Sequence, residues 1–297
     1  MNTSNAKRGP QPLVVVTAAL TGVLATRKQC PAIPYSPQEI ADEAVRSFEA
    51  GASIVHIHAR ESDGSASWKP EHFAEIADKT RARCPVILNY STGGIDGTIE
   101  SRTQHVRGLK GAIKPDMAAL NMGSMNYAIY SRKQKKFLVS AVFANPFSDI
   151  EYLFRLFSEQ SITPELECFD AGHVHNAEPF MDMGLMKRPY HYSLILGVTG
   201  GISATERNLL NQVDNLPDGA HWQLIGISQT QWPLLEKSLD LGGHIRVGLE
   251  DNFYLPSGEM AKSNAELVEW AVKKVRERGQ KVATVPEARR LLELPQV

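Results

Sequence analysis

Two histidines separated by a single residue, His56 and His58, constrain this chain more than any other feature. They lie within a run, 52–60, that is apolar and rich in β-branched residues, which is typical of a buried strand. Side chains alternate across a strand, so both imidazoles project to the same side. Two imidazoles on one side of a rigid element suit a divalent metal ion. We therefore expect a strand that faces a metal site.

A second unusual segment lies near the far end of the chain, over 242–252. Its pattern predicts a strand that ends in two carboxylates, Glu250 and Asp251. Arg246 precedes Glu250 by four residues, so strand alternation predicts that both side chains face the protein interior. A buried arginine needs a carboxylate partner, and Asp251 is the candidate. The segment thus offers a third metal ligand together with an acid–base pair, although the arginine and aspartate are also compatible with a plain structural ion pair.

Short apolar runs alternate with amphipathic helical patterns along the chain, which predicts a (β/α)8 TIM barrel. The predicted strands are 13–17, 53–58, 86–89, 117–120, 166–169, 192–196, 223–227 and 245–249. The clearest helices are predicted over 36–51, 71–82, 150–157, 232–239 and 265–275. A further strand-like run, 137–143, is assigned to a small insertion after strand four, as part of a hairpin. Counted as a barrel strand it would make nine, so a doubly wound open sheet is the alternative.

Length and composition exclude several classes of protein. The 297 residues show no composition break, which predicts one catalytic domain over 13–297 behind a disordered tail, 1–12. A formal net charge of −1 argues against nucleic acid as the main partner. No apolar stretch reaches the roughly 18 residues of a membrane span. Three widely spaced cysteines predict no disulfide framework and favour a cytoplasmic location.

Polar residues collect at the predicted carboxyl ends of the strands, which is where barrel enzymes place their active sites. Ser91, Thr92, Gly93 and Gly94 follow strand three, and Asn121 ends strand four. Hydroxyls and unhindered backbone N–H groups are suited to bind a carboxylate or an oxyanion. We expect these residues to bind substrate, and the alternative for 91–94 is a tight strand-to-helix turn.

A second pair of histidines, His173 and His175, has the same spacing as the first. It follows Asp170-Ala171-Gly172 and is predicted to lie in a loop, where alternation is not assured. We do not expect this pair to bind the metal, although His173 is close enough to a strand end to approach a substrate.

Taken together, these residues resemble the β-keto acid cleavage enzymes, whose type member cleaves 3-keto-5-aminohexanoate. The similarity runs over nearly the whole chain, and the 52–60 and 243–252 segments are its most specific motifs. The further blocks that carry it are 17–22, 31–37, 43–45, 91–94, 120–124 and 164–167 with Asp170.

The resemblance implies a zinc-containing (β/α)8 barrel, usually a homotetramer, with His56, His58 and Glu250 as the metal ligands. Histidine and carboxylate also serve cobalt and manganese, so the ligand set does not identify the ion. The implied reaction converts a β-keto acid and acetyl-CoA into acetoacetate and a new acyl-CoA. By the same resemblance, Asp251 would orient and activate Arg246 for proton abstraction next to the keto group.

The remaining site residues follow from the same similarity. Ser91, Thr92 and Asn121 would hold the substrate carboxylate and the reacting oxygens, beside the backbone of Gly93 and Gly94. The partners are therefore small molecules, and neither nucleic acid nor a membrane is expected.

The chain departs from the family pattern in two places. Family members that take a cationic substrate carry a carboxylate in the loop after strand one, whereas this chain has Leu24 there. A leucine cannot neutralise an ammonium group, so a cationic keto acid is predicted to be a poor substrate; Arg27 nearby would favour an anionic one, unless it only faces solvent. The stretch 226–231 lacks an expected arginine, which leaves the acyl-CoA contacts unassigned.

Two other classes of function remain open at this point, a different metal enzyme and a non-catalytic protein. A metal-dependent hydrolase of the amidohydrolase type also combines a barrel with an HxH motif. In those enzymes the motif usually lies on strand one, and further histidines lie on strands five and six. Another carbon–carbon lyase on the same scaffold would also be a metal enzyme. A non-catalytic metal-binding scaffold would bind zinc with a closed fourth position and show no turnover.

Overall fold

The computed structural model describes residues 9–295. Its centre is a closed barrel of eight strands, labelled β1 to β8 in chain order. They are β1 Val16–Ala19, β2 Ile54–Ile57, β3 Ile87–Tyr90, β4 Met117–Asn121, β5 Thr163–Cys168, β6 His191–Leu196, β7 His221–Gly226 and β8 His244–Val247.

Every neighbouring pair of barrel strands is parallel, and the order around the barrel follows the chain. The ring closes between β8 and β1, where Ile245 pairs with Val16. Closure confirms the predicted (β/α)8 barrel and is incompatible with the open-sheet alternative. The carboxyl ends of all eight strands therefore lie at one end of the barrel, which is called the barrel mouth below.

The helices surround the barrel and bury their apolar faces against it. Their bounds are α1 Pro37–Ala50, α2 Pro70–Arg81, α3 Ile99–Arg102, α4 Gln104–Gly108, α5 Phe147–Gln160, α6 Ala171–His175, α7 Glu178–Asp182, α8 Glu206–Asp214, α9 Gln231–Asp240, α10 Asn264–Glu277 and α11 Val285–Leu291.

The start and end of α1 follow directly from the local sequence. Ser36 and Glu39 form a reciprocal capping box, so two backbone N–H groups that the first turn leaves free are satisfied. Gly51 ends the helix with φ at 117°, a left-handed conformation that favours glycine. The predicted boundaries of this helix are confirmed.

The predicted strand boundaries differ from the observed ones at several ends, and two of the differences are structurally informative. The run 13–17 is divided, because Leu13–Val14 pairs with Lys281–Val282 outside the barrel and β1 begins only at Val16. The predicted strand 245–249 stops at Val247, since Gly248 turns the chain with φ at 140°. In both cases the apolar run is continuous in sequence, and the break is imposed by neighbouring backbone.

The insertion after β4 is an antiparallel hairpin of Met125–Ser131 and Lys136–Phe143, as expected for 137–143. Its tip carries the basic cluster 132–136 into solvent. Its base folds back over the mouth, where Met125 and Phe143 pack with Phe169 in an apolar cluster separate from the main core.

The opposite end of the barrel is closed by α11 and the segment that follows it. Side chains of 283–294 pack against Val15, Ile54 and Met117 at the amino ends of the strands. Of the predicted tail 1–12, residues 1–8 lie outside the described part of the chain. Within the remainder, Gln11 O accepts from Gln280 Nε2 at 2.7 Å and Pro12 O accepts from Lys281 N at 2.9 Å.

Between residues 9 and 295, none of the helices combines the length and the apolar character that a bilayer crossing requires.

Candidate active site

The predicted metal ligands come together at the barrel mouth. His56 lies in β2, and His58 is the first residue after that strand. Glu250 reaches both histidines from the turn after β8. Glu250 Oε1 lies 3.7 Å from His56 Nε2 and 3.6 Å from His58 Nε2. Ligand atoms about 2.0–2.1 Å from a tetrahedral zinc are roughly 3.3 Å apart, so this triangle is close to the required size.

The protonation states of these groups also suit a metal. Burial lowers the pKa of His56 well below its ordinary value, and the neighbouring Arg246 lowers it further, so this imidazole is neutral and can offer a nitrogen lone pair to a metal. Burial alone would raise the pKa of Glu250, but Arg246 and the two imidazoles hold it well below its usual range. Its buried Oε2 has no hydrogen-bond partner. The residues therefore fit a divalent ion in chemistry as well as in spacing.

Glu250 reaches this position by a route that strand alternation does not describe. The expectation that Arg246 and Glu250 share one strand was wrong, because β8 ends at Val247. A Cβ on Gly248 would lie 2.1 Å from Ala19 O, so only glycine fits the bend. The next N–H, that of Leu249, donates to Asn264 Oδ1 at 2.9 Å. Backbone bending, rather than alternation, turns Glu250 toward the histidines.

The buried pair Asn264 and Glu43 extends this support. Asn264 Nδ2 donates to Leu20 O at 3.0 Å and to Glu43 Oε2 at 2.7 Å. One amide therefore joins the segment after β1 to the segment that carries Glu250. Glu43 belongs to a block of the family resemblance, and its position explains why a carboxylate is suited there.

Three carboxylates surround the buried Arg246. It donates from Nε and Nη2 to both oxygens of Asp251, at 2.8 and 2.9 Å, and from Nη2 to Glu250 Oε1 at 2.6 Å. Its Nη1 lies 3.6 Å from Glu167 Oε1. Although burial opposes its charge, Asp251 and Glu250 hold the pKa of Arg246 well above its usual range. The predicted partnership of Arg246 with Asp251 is thus present as a two-point ion pair.

Two acidic residues at this site were not among the predicted site residues. Burial, followed by the charge of Glu165, raises the pKa of Glu167 to about 8. Glu165 accepts hydrogen bonds from Asn89, Ser193 and Gln223, and it lies 4.0 Å from His56 Nδ1. The signal was available in the sequence, because two glutamates spaced by one residue on a buried strand point into the barrel together.

The predicted substrate-binding residues divide into two groups. Ser91, Gly93, Gly94, Asn121 and Leu24 all line the cavity at the barrel mouth. Thr92 does not, because its hydroxyl donates to Ala119 O at 2.7 Å within the barrel wall. Asn121 Oδ1 is buried without a hydrogen-bond partner, so it is free to accept from a ligand.

Glycine at position 93 provides space for neighbouring side chains rather than a special backbone conformation. A Cβ there would lie 3.0 Å from Asn121 Nδ2 and 3.5 Å from the Phe143 ring. The Gly93 N–H donates to Ser91 Oγ at 3.2 Å. Gly93 and Gly94 line the cavity, but the Gly93 N–H is already engaged by Ser91.

The second histidine pair lies apart from the metal ligands. The expectation of a loop was wrong, because 171–175 forms helix α6 with Asp170 as its N-cap. On a helix, side chains two residues apart diverge. His173 is buried and its Nδ1 accepts from Phe169 N at 3.3 Å, whereas the His175 side chain is 70% exposed.

The cavity that contains these groups has a volume of about 220 Å³. The candidate metal ligands, the arginine–aspartate pair, Gly93 and Gly94 all line it. Such a combination can bind an anionic substrate, polarise a carbonyl and move a proton.

Comparison with known proteins agrees with this geometry. The sequence profile of the family "beta-keto acid cleavage enzyme" matches residues 13–294. A 3-keto-5-aminohexanoate cleavage enzyme of Fusobacterium nucleatum is 35% identical over 283 residues, covering 95% of this chain and 98% of that protein. The 3-oxoadipate:acetyl-CoA acetyltransferase of Cupriavidus necator is 33% identical over 95% of each chain.

Among solved structures, apo ObcA matches with a TM-score of 0.75 at 21% sequence identity, covering 89% of this chain and 66% of ObcA. This chain spans about two thirds of ObcA, and the likeness concerns the fold alone. Because the family profile covers nearly all of the described residues, the chain belongs to the β-keto acid cleavage enzyme family.

Proposed function

We propose that the barrel mouth holds a zinc ion and exchanges acyl groups between a β-keto acid and acetyl-CoA. As a member of its family the chain is an enzyme that cleaves β-keto acids. Written out, R–CO–CH₂–COO⁻ and CH₃–CO–SCoA give CH₃–CO–CH₂–COO⁻ and R–CO–SCoA. The observation that carries the proposal is the placement of the His56–His58–Glu250 triangle beside the Arg246–Asp251 pair within one cavity.

His56, His58 and Glu250 are assigned as the metal ligands. When bound, the ion would act as a Lewis acid that stabilises negative charge on the keto oxygen. Three protein ligands leave a coordination position open, as catalytic zinc sites require. Cobalt and manganese suit the same donors, so metal analysis of the purified protein identifies the ion.

Arg246 and Asp251 are assigned to proton transfer at the carbon between the keto and carboxylate groups. The neighbouring carboxylates keep Arg246 charged, so a free guanidine is not the base. Burial, opposed by Arg246 and assisted by Glu250, raises the pKa of Asp251 to about 6. We assign Arg246 to contact the substrate and to pass one N–H proton to Asp251 as it takes up the proton from the substrate carbon, so Arg246 remains a guanidinium and Asp251 becomes the carboxylic acid.

Ser91 and Asn121 are assigned to the substrate carboxylate and the reacting oxygens, together with the backbone at Gly93 and Gly94. The argument is their position on the cavity wall and the unpartnered Asn121 Oδ1. Thr92 has a supporting role in this proposal, because its hydroxyl is already engaged with β4.

Acetyl-CoA is the proposed second substrate, in keeping with the names of the Cupriavidus necator relative and of the 3-dehydrocarnitine:acetyl-CoA trimethylamine transferase of Rhizobium meliloti. The carbanion formed from the keto acid attacks the acetyl carbonyl and releases CoA thiolate. The thiolate then attacks the original keto carbon, and the carbon–carbon bond breaks. The proton removed at the start returns to acetoacetate, so the exchange is balanced.

The test uses acetyl-CoA labelled with ¹³C in both acetyl carbons and a panel of β-keto acids, with mass spectrometry of the products. The proposal requires that acetoacetate carries the label in its two carbons distant from the carboxylate. It also requires that a chelator abolishes the product and that added zinc restores it. Free CoA without labelled acetoacetate would instead indicate hydrolysis.

A cytoplasmic location and a homotetrameric assembly complete the proposal. Cys30, Cys84 and Cys168 are all free and buried, which is compatible with a reducing compartment. Phe137, Leu138 and other apolar side chains on the hairpin are exposed in the single chain, which suits an interface between copies. Light scattering on the purified protein measures the assembly directly.

A further inference from the structure

We propose that the β-keto acid accepted here carries an uncharged, apolar chain beyond its keto group. This inference deepens the function proposed above and rests on it. It concerns the part of the cavity that the reacting groups do not occupy.

The charges that line the cavity all belong to the reaction centre. Within 9–295, its ionisable lining groups other than the Tyr127 phenol are His56, His58, Glu167, Arg246, Glu250 and Asp251. Each of these contacts another member of the set or is assigned to the metal. A charged group at the far end of a substrate would therefore meet no opposite charge along the rest of the wall. Its loss of hydration would remain uncompensated.

The rest of the wall is largely hydrocarbon. Apolar side chains from the hairpin and from the ends of β5, β6 and β7 form the separate cluster over the mouth, and one side of that cluster faces the cavity. Its cavity-lining members include Phe143, Phe169, Ile195, Val198, Ile225 and Ile227. Burial of an alkyl or aryl chain against such a wall is favourable, at about 25 cal/mol for each Å² removed from water.

The nearest candidate for binding an anionic tail is already engaged. Arg27 donates from Nη2 to Glu39 at 2.7 Å and from Nε to Ile33 O at 3.0 Å, and its guanidinium lies over the Tyr35 ring. It does not line the cavity, so the expectation that it would favour an anionic substrate receives no support from its contacts.

A cationic tail has no better site. Leu24 lies on the cavity wall with 37% of its surface exposed, in the loop after β1. Arg60, which is buried beneath this loop, donates to Thr21 O at 2.7 Å and Gly22 O at 2.8 Å. A third backbone carbonyl, Gly64 O, accepts from Arg60 at 2.9 Å, and Arg60 does not line the cavity, so its guanidinium offers no contact to a charged tail.

The experiment compares three keto acids with the same number of carbon atoms whose tails are neutral, cationic and anionic: 3-oxohexanoate, 5-amino-3-oxohexanoate and 3-oxoadipate. The expected kcat/KM is at least tenfold higher for the neutral acid than for either charged one. A homologous series from 3-oxopentanoate to 3-oxoheptanoate is expected to gain roughly fourfold for each added methylene. Preference for a charged acid, or no dependence on chain length, overturns the inference.

A matched pair of substitutions tests where the tail lies. Leu24→Glu places a carboxylate on the cavity wall, and Leu210→Glu places one at an equally exposed leucine, also 37%, on helix α8. Leu24→Glu is expected to raise kcat/KM for 5-amino-3-oxohexanoate relative to 3-oxohexanoate by at least tenfold. Leu210→Glu is expected to leave the ranking of the three substrates by kcat/KM unchanged. Equal rankings in the two variants would contradict the assignment.

Failure of the inference and failure of the proposed function have different signatures. If labelled acetoacetate forms but a charged acid is preferred, the reaction stands and the apolar tail is wrong. If no member of the panel yields acetoacetate from the metal-loaded protein, the proposed reaction itself is contradicted, and the tail inference is contradicted with it.

Discussion

Arg246 and Asp251, five residues apart in the chain, form a two-point ion pair at the mouth of the barrel, with N–O distances of 2.8 and 2.9 Å. The pair exists because the chain turns at Gly248 immediately after β8, which brings the aspartate back over the arginine. Two further carboxylates, Glu250 and Glu167, surround the same guanidinium. This grouping is the basis for assigning proton transfer to the pair.

Substitution Asp251→Asn keeps the shape of the side chain and removes its charge. We expect kcat/KM to fall by about 10²–10⁴, the usual contribution of a positioned acid–base group. Metal content should be unchanged, because the proposed ligands are other residues. Steady-state kinetics and metal analysis of the same preparation measure both effects.

The control is Asp116→Asn, which weakens another buried arginine–aspartate contact, with Arg289, far from the cavity. It should lower the melting temperature without changing kcat in the folded enzyme. If Asp251→Asn retains full activity, the proton-transfer assignment is wrong.

The two histidine pairs provide a matched test of the metal site. His58→Ala removes a ligand from the triangle, whereas His175→Ala alters an exposed histidine of the second pair. We expect bound zinc, measured by mass spectrometry of the metal, to fall from about one per chain to near zero in the first variant only. Retention of a full equivalent by His58→Ala would exclude this residue as a ligand.

Gly22 tests whether Glu250 must be positioned closely. A Cβ at Gly22, where φ is 56°, would lie 2.8 Å from Glu250 Cγ, whereas one at Gly111, where φ is 62°, would contact nothing within 4 Å. Both substitutions to alanine carry a backbone cost of about 1–2 kcal/mol. Only Gly22→Ala is expected to weaken zinc binding, by at least tenfold in a chelator competition.

Equal zinc affinities in the two alanine variants would show that Glu250 tolerates displacement. A loss of thermal stability in both, with weaker zinc binding in Gly22→Ala alone, is the expected pattern, because the strain is common to the two sites and the close approach is not.

Three histidines at the amino ends of β6, β7 and β8 predict a loss of stability in acid. The rings of His191 and His221 lie 5.6 Å apart, and those of His221 and His244 lie 6.4 Å apart. Burial lowers the pKa of His191 and of His244 to about 3, compared with about 6.5 in the unfolded chain. The unfolded state therefore binds protons that the folded state does not, so the free energy of unfolding falls as pH decreases from about 6.5 toward 3.

For His191 the expected loss between pH 7.5 and pH 5 is about 2 kcal/mol. Urea unfolding in the presence of a chelator, which keeps metal release out of the comparison, measures this dependence. His191→Leu should reduce the difference between the two pH values by about that amount, whereas His175→Leu at the exposed site should not. An unchanged difference in His191→Leu would contradict the depressed pKa.

Local sequence patterns were sufficient to predict the architecture and most of the candidate site. Period-2 alternation predicts that His56 and His58 face the same side, and both line the cavity. The capping box at Ser36 and Glu39 sets the start of α1. These features depend on residues close in sequence, so they are visible without tertiary information. The hairpin strand over 137–143 was visible for the same reason.

The tertiary structure decided where the chain bends and which polar groups remain free. The end of β8 depends on Ala19 O, which lies too close to Gly248 for any side chain, and Glu250 faces the histidines only because of that bend. Thr92 and Arg27 have the right chemistry for substrate binding, yet each is engaged by a distant backbone or side-chain group. The sequence by itself therefore determined the barrel and the residue types at its mouth, whereas contacts between residues remote in sequence decided which of them meet in the cavity.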